Sequence, residues 1–418
     1  MATIEQNYKF AREVYAALGV DTDHAIKVLS SIPLSIHCWQ GDDVIGFDGA
    51  TSLSGGILAT GSYPGRARNA EELRSDAAFA FQHIPGKKRF NLHAMYAETG
   101  SAKVERSELE PQHFSSWISW AKENKIGLDF NPTFFSHPLA ASGWTLAHPD
   151  ERIRAYWIEH GKASRRIAQT IADSLRDVVV NNLWIPDGSK DMPADRLGPR
   201  LRLKESLDAI YAEKLPNDRV LDSVESKLFG IGSESFVPGS HEFYLGYASQ
   251  KIIGLCYDMG HFHPNESVAD KISATLLYVP YLVIHLSRGL HWDSDHIVIW
   301  NDAVTEVCRE IVRMRVWNRI HLALDYFDSS VNRIAAWVIG ARSTQRALLS
   351  ALLEPVDMMR AYEQNGDFGS RLAIIEESRS LPFDAVWRYY CEMQEVAPGP
   401  EWIKDIKDYE KKVLSLRE

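Results

Sequence analysis

Apolar residues along the chain switch repeatedly between helical and strand-like spacing. From residue 3 to residue 30, Phe10, Val14, Ala17 and Leu18 recur at helical spacing, as do Ala25, Val28 and Leu29. Short apolar runs then follow at Ile32–Trp39, Arg89–Met95, Ile126–Asn131, Val178–Pro186, Val224–Gly230, Ile253–Asp258, Leu282–Ser287 and Ile320–Tyr326, which predict eight strands. Helix-like stretches lie between them, among them Asp150–Asp177, Lys271–Tyr278 and Ala303–Met314. Strands that alternate with helices pair in parallel through right-handed crossovers, and eight such units predict an α/β fold, a closed (β/α)8 TIM barrel.

The pattern also divides the chain. Residues 1–30 form N-terminal helices, 31–354 the barrel, and 355–418 a C-terminal helical extension. Residues 44–69 break the alternation: Gly46, Gly49, Gly55, Gly56, Gly61 and Gly65 punctuate a stretch with little periodicity, which predicts a lid or partner-contact loop. A strong helix over Val331–Leu353 completes the barrel. Beyond it Trp402, Ile403, Ile406, Tyr409, Val413 and Leu416 share one helical face, which must pack on the barrel wall or on a second subunit.

Composition narrows the function. With 45% hydrophobic and 24% charged residues, the 418-residue chain has the make-up of a soluble globular protein. A net charge of −10 argues against a general nucleic-acid binder. The longest apolar stretch, Leu276–Leu286, is broken by Pro280 and His285 and falls short of a membrane span. Cys38, Cys256, Cys308 and Cys391 stand far apart with no CxxC, and the N-terminus shows no secretory pattern, so the expected location is cytoplasmic with reduced thiols.

The candidate chemistry gathers between Glu225 and Asp328. Glu225 and Lys227, two apart on the fifth strand, are expected to point inward together. Asp258 ends the sixth strand, with His261 just beyond; His285 is on the seventh; Asp293 and Asp295 lie in the loop after it. The eighth strand offers Asp325 at its end and Asp328 just past it, and Asp328 could equally cap the helix that follows. In a barrel these strand ends converge on one mouth. Like charges brought that close need cations, and two divalent ions nearly balance five carboxylates. Oxygen and imidazole donors suit Mn²⁺, Mg²⁺, Co²⁺ or Zn²⁺. By position, Glu225, Asp258, His285 and a strand-8 aspartate share one ion, and His261, Asp293 and Asp295 take the other. His263 and His296 are read as supporting or structural.

At these residues the chain resembles the L-rhamnose isomerase family over essentially its whole length. The likeness is carried by His37-Cys38-Trp39-Gln40-Gly41-Asp42-Asp43, Ala59-Thr60-Gly61-Ser62-Tyr63-Pro64-Gly65, Leu128-Asp129-Phe130-Asn131-Pro132 and Trp184-Ile185-Pro186-Asp187-Gly188. Val224-Glu225-Ser226-Lys227-Leu228-Phe229-Gly230, Gly260-His261-Phe262-His263-Pro264, Trp292-Asp293-Ser294-Asp295-His296 and Asp325-Tyr326-Phe327-Asp328-Ser329-Ser330 carry the rest. The resemblance implies a fold like that of xylose isomerase and interconversion of L-rhamnose and L-rhamnulose. It implies Mn²⁺ at His261, Asp293 and Asp295 and a second divalent ion (Mn²⁺, Zn²⁺, Co²⁺ or Mg²⁺) at Glu225, Asp258, His285 and Asp328. A homotetramer and a cytoplasmic role in rhamnose breakdown also follow from it, while the charge and the short apolar runs lead us to expect no nucleic-acid or membrane partner.

For that reaction, His93 at the end of the second strand suits the proton of ring opening. Lys227 would polarise the carbonyl oxygen for a 1,2-hydride shift, and Asp328 would move a proton in the alternative enediol route. Trp184 and Asp187 are expected to contact the sugar. Rival readings are the same chemistry on another aldose, such as D-allose, and a two-metal phosphoesterase or endonuclease on a similar barrel.

Overall fold

The computed structural model describes residues 3–39, 46–49, 63–216, 218–227, 234–263, 265–290, 292–328 and 330–417, with the side chains of residues 292–294 outside that set. Among the described residues there are ten strands: β1 (Leu34–His37), β2 (Lys88–His93), β3 (Gly127–Asn131), β4 (Val179–Leu183), β5 (Val220–Glu225), β6 (Gly254–Asp258), β7 (Leu282–Leu286), β8 (Arg288–Leu290), β9 (Trp292–His296) and β10 (Ile320–Leu324). All but β8 and β9 join one parallel sheet in the order β3-β2-β1-β10-β7-β6-β5-β4, wrapped by helices as a (β/α)8 barrel.

The seam between β3 and β4 is closed largely by side chains. The Val180 N–H donates to the Asp129 carboxylate at 2.9 Å, the Asn182 N–H to the Asn131 side-chain oxygen at 3.0 Å, and the Asn181 amide to the Phe130 carbonyl at 2.7 Å. Backbone groups that lack a ladder partner must find another acceptor or donor, and these polar side chains supply it. Arg89 braces the same edge, bonding Asp129 at 3.0 Å and Asp177 at 2.5 Å. Val180, Cys256 and Val283 form a small apolar plug inside the barrel.

The helices begin where polar residues take up free N–H groups. Asp150 caps the helix Glu151–Leu175, and Asn332 caps Arg333–Leu352 by accepting from Ile334 and Ala335 at 3.0 Å. Asn332 therefore has the capping role that Asp328 could have filled. The last helix, Trp402–Lys412, packs on the barrel wall. Tyr409 stacks on Phe79 with ring centroids 4.2 Å apart, a pair worth roughly 0.5–1.5 kcal/mol beyond its area, and its hydroxyl donates to Asp76 at 2.8 Å. Arg417 bonds the same carboxylate at 2.6 Å. The N-terminal helix Ile4–Ala16 meets Phe383–Met393 through stacked Tyr8 and Tyr389, 3.8 Å apart. The helix Phe368–Ser378 buries none of its residues and leaves Phe368 and Leu372 exposed.

Candidate active site

In a parallel barrel every strand ends on the same rim. His37, His93, Asn131, Glu225 and Asp258 are the last residues of β1, β2, β3, β5 and β6. His285 is one residue from the end of β7, and Asp325 follows β10 directly. The register sets Asp258 beside His285, and Ala323 on the other side of it.

Glu225, Asp258, His285 and Asp325 each offer a ligand atom, and these atoms lie within 4.8 Å of one another. The His285 Nδ1 stands 3.1 Å from Asp325, 3.5 Å from Glu225 and 3.7 Å from Asp258. Neighbours hold each carboxylate in place. Asp258 accepts from the Gly260 N–H and the Ser287 hydroxyl, both at 2.7 Å, through one oxygen. That leaves its other oxygen facing His285. Asp325 accepts from the Trp39 indole N–H at 2.6 Å through one oxygen and turns the other to His285. Asn182 donates to Glu225 at 2.5 Å and is itself fixed by Ser223 at 2.7 Å. Such outer contacts are how proteins aim metal ligands.

Both ring nitrogens of His285 are buried without a hydrogen bond of acceptable geometry. A buried, unsatisfied imidazole among three carboxylates is costly unless a cation completes it. Electrostatics agree. Burial, with Glu225 and Asp325 close by, pushes Asp258 up to about 7 despite the opposing pull of His261 and His285. Burial also acts on Glu225, but His285 and His261 outweigh it and leave it at about 2. The donor set fits a divalent cation.

The second expected set is only partly visible. His261 Nδ1 lies 3.1 Å from Glu225, on the side of the group that faces Trp184. Asp295 is buried at the cavity wall with a left-handed backbone, φ +40°. It sits on β9, half of a short antiparallel hairpin with β8 where the sequence predicts a loop. The Asp293 side chain lies outside the described residues. So do residues 44–45 and 50–62 of the Gly-rich stretch.

Above the group, Trp39, His93, Phe135, Trp184, Asp295 and Phe327 wall the cavity. His93 packs on Trp39 with ring centroids 4.3 Å apart. Burial and the neighbouring His37 hold its pKa well below the usual histidine range, so it is neutral. His37 must carry its proton on Nδ1, which donates to the Leu324 carbonyl at 2.8 Å, so its Nε2 accepts from Asn91 at 3.0 Å.

Three expected site residues stand elsewhere. Asp328 is outside the ligand group: it accepts from the Ser330 N–H at 3.1 Å and lies 3.3 Å from His296. Asp325, nearer the strand end, takes that place, because only a residue directly after β10 is level with His285. Lys227 does not share the inward face with Glu225. β5 ends at Glu225, the chain turns, and Lys227 donates to the Pro186 carbonyl at 2.7 Å and pairs with Glu234 at 3.0 Å, behind the Trp184 ring. Asp187 is turned from the cavity and accepts from the Thr145 and Ala147 N–H groups, each at 2.8 Å. Sequence reasoning missed Trp39, Asn182, Ser287 and Glu234. His37-Cys38-Trp39 at the end of the first strand was the available signal for Trp39.

A barrel that gathers carboxylates and imidazoles at its mouth, under aromatic walls, defines an enzyme that works on a small polar molecule with a divalent metal. Comparison with known proteins makes this specific. The family model for L-rhamnose isomerase (RhaA) matches residues 2–417. L-rhamnose isomerases of Salmonella paratyphi B and Salmonella typhi are each 52% identical over 415 residues, covering 99% of this chain and 99% of theirs. The chain belongs to the L-rhamnose isomerase family and is an aldose–ketose isomerase. Among solved structures, a D-psicose 3-epimerase from Clostridium cellulolyticum H10 aligns at 13% identity and TM-score 0.45, over 76% of this chain and 96% of that one. A likeness at that score carries no conclusion about substrate.

Proposed function

We propose that the protein interconverts L-rhamnose and L-rhamnulose, with Glu225, Asp258, His285 and Asp325 holding one divalent ion and His261, Asp293 and Asp295 a second. The observation that carries this is the four-donor group lying beneath the aromatic cavity, beside a neutral His93. Mn²⁺ is the proposed ion at the His261 set, and Mn²⁺, Zn²⁺, Co²⁺ or Mg²⁺ at the other, since carboxylates and imidazoles suit all of these. A bound divalent ion supplies polarisation of the substrate oxygens.

The chain's own residues do the rest. His93 takes the O1 proton as the C1–O5 bond breaks and hands it to the ring oxygen O5, a task for a neutral imidazole. Trp39, Phe135, Trp184 and Phe327 keep water from C1 and C2 and give the C6 methyl group an apolar wall. Exclusion of water favours the 1,2-hydride shift: the C2 hydrogen moves to C1 with its electron pair, and the C2 hydroxyl proton passes to the C1 oxygen. Deuterium at C2 of L-rhamnose should then appear at C1 of L-rhamnulose. Its loss to solvent would assign the enediol route instead. A panel of aldoses including D-allose tests substrate choice, and a higher kcat/KM on any other sugar overturns the assignment to L-rhamnose.

A cytoplasmic location is supported by four buried cysteines without disulfides and by the lack, among the described residues, of a helix long and apolar enough to cross a membrane. A homotetramer is supported by the helix Phe368–Ser378, whose Phe368 and Leu372 are exposed among the described residues.

A further inference from the structure

We infer that the ion group has a second, thiolate-bearing donor set, Glu225, Cys256 and His285, which holds a thiophilic divalent cation in place of the oxygen-rich set. The inference rests on the proposed placement of an ion at Glu225 and His285. Cys256 lies on β6 in register with Glu225 and two residues before Asp258, so it shares the inward face one layer deeper. It is fully buried, at the top of the plug it forms with Val180 and Val283. Donor atoms of Glu225, Cys256 and His285 lie within 4.8 Å of one another. His285 adds a second pointer, because both of its ring nitrogens are buried with Cys256 and Asp325 beside them and neither makes a hydrogen bond of acceptable geometry.

Glu225 and His285 belong to both sets, so one ion excludes the other. Ligand softness then decides which set is used. Mn²⁺ and Mg²⁺ prefer the carboxylates of Asp258 and Asp325, and Cd²⁺, like Zn²⁺ to a lesser degree, favours sulfur. Binding forms a metal–sulfur bond as the S–H proton passes to solvent, with no change in oxidation state. The thiol thus gives an oxygen-rich site a soft face, through which thiophilic ions displace the working metal.

The test loads metal-free protein with Mn²⁺, titrates it with Cd²⁺ and follows thiolate-to-cadmium charge-transfer absorption, with Mn²⁺ uptake and release read in parallel from the free-ion electron paramagnetic resonance signal. Wild type should develop the band and release bound Mn²⁺ as it does. Cys256→Ser should show no band, bind Cd²⁺ at least about tenfold more weakly, and still take up Mn²⁺. No band in wild type, or an equal band in Cys256→Ser, overturns the inference, the latter by assigning the signal to Cys38, Cys308 or Cys391. If Cys256→Ser does not fold, cadmium-edge X-ray absorption on wild type decides: a sulfur neighbour supports the set, and a shell of oxygen and nitrogen alone refutes it. Failure of wild type to bind Mn²⁺ while the Cys256-dependent band remains would overturn the proposed function and leave the thiolate set standing.

Discussion

Replacing Asp325 by asparagine separates the two strand-8 aspartates. In Asp325→Asn the side-chain carbonyl still accepts from the Trp39 indole, now 2.6 Å away. The NH₂ takes the position of the oxygen that stands 3.1 Å from His285 and 3.5 Å from His37. An amide nitrogen has no lone pair to offer a cation, and the charge is gone. Loss of an outer-contact residue costs roughly 10–100-fold in metal affinity, so loss of a direct ligand should reach at least about 10²-fold, or about 2.7 kcal/mol. Asp328→Asn keeps an acceptor for the Ser330 N–H and loses only a charge outside the group, worth about 0–1 kcal/mol. Calorimetric titration of metal-free protein with Mn²⁺ reads both. If Asp328→Asn loses the ion and Asp325→Asn keeps it, the reasoning from strand register is wrong.

Other consequences are open to similar tests. Trp39→Phe removes the donor that orients Asp325 and should weaken Mn²⁺ binding by roughly 10–100-fold in the same titration, with unchanged affinity counting against the orienting role. Lys227→Met strands the Glu234 carboxylate and should cost about 3 kcal/mol in denaturant unfolding, part of which Glu234→Leu restores; wild-type stability in Lys227→Met would show that the pair is slack. Asp187 is raised by burial from 3.8 to about 6, against the pull of its hydrogen bonds to Thr145 and Ala147. Its folded form holds the proton more tightly than the unfolded chain, so its contribution is complete below 3.8 and lost as pH rises through about 6, a fall of about 3 kcal/mol. Unfolding curves between those pH values should flatten by that amount in Asp187→Asn, and an unchanged slope would refute the shift.

The barrel was legible because strand and helix periods differ so plainly, and because its strands, buried on both faces, read as continuous apolar runs. Glu225, Asp258 and His285 were legible as inward residues at strand ends. Strand limits were less so, and they govern the rest. The fifth strand was expected over Val224–Gly230, yet it spans Val220–Glu225, so the two-residue alternation that would turn Lys227 inward stops before it. The choice between Asp325 and Asp328 depends on where β10 ends, at Leu324, and the family likeness pointed to the aspartate past that boundary. Asp187 follows a strand, as a site residue would, but its hydrogen bonds go to a segment about forty residues earlier, a contact that no local pattern encodes. The hairpin of β8 and β9 is too short to leave a period.

The central claim is that an aldose–ketose isomerase works through a metal at this mouth. Stripping the protein with chelator, restoring Mn²⁺, Co²⁺, Mg²⁺ or Zn²⁺ singly, and assaying ketose formation from L-rhamnose tests it most directly. The account predicts no ketose from the stripped protein and turnover on reloading. Turnover without metal, or none with any metal, would contradict it.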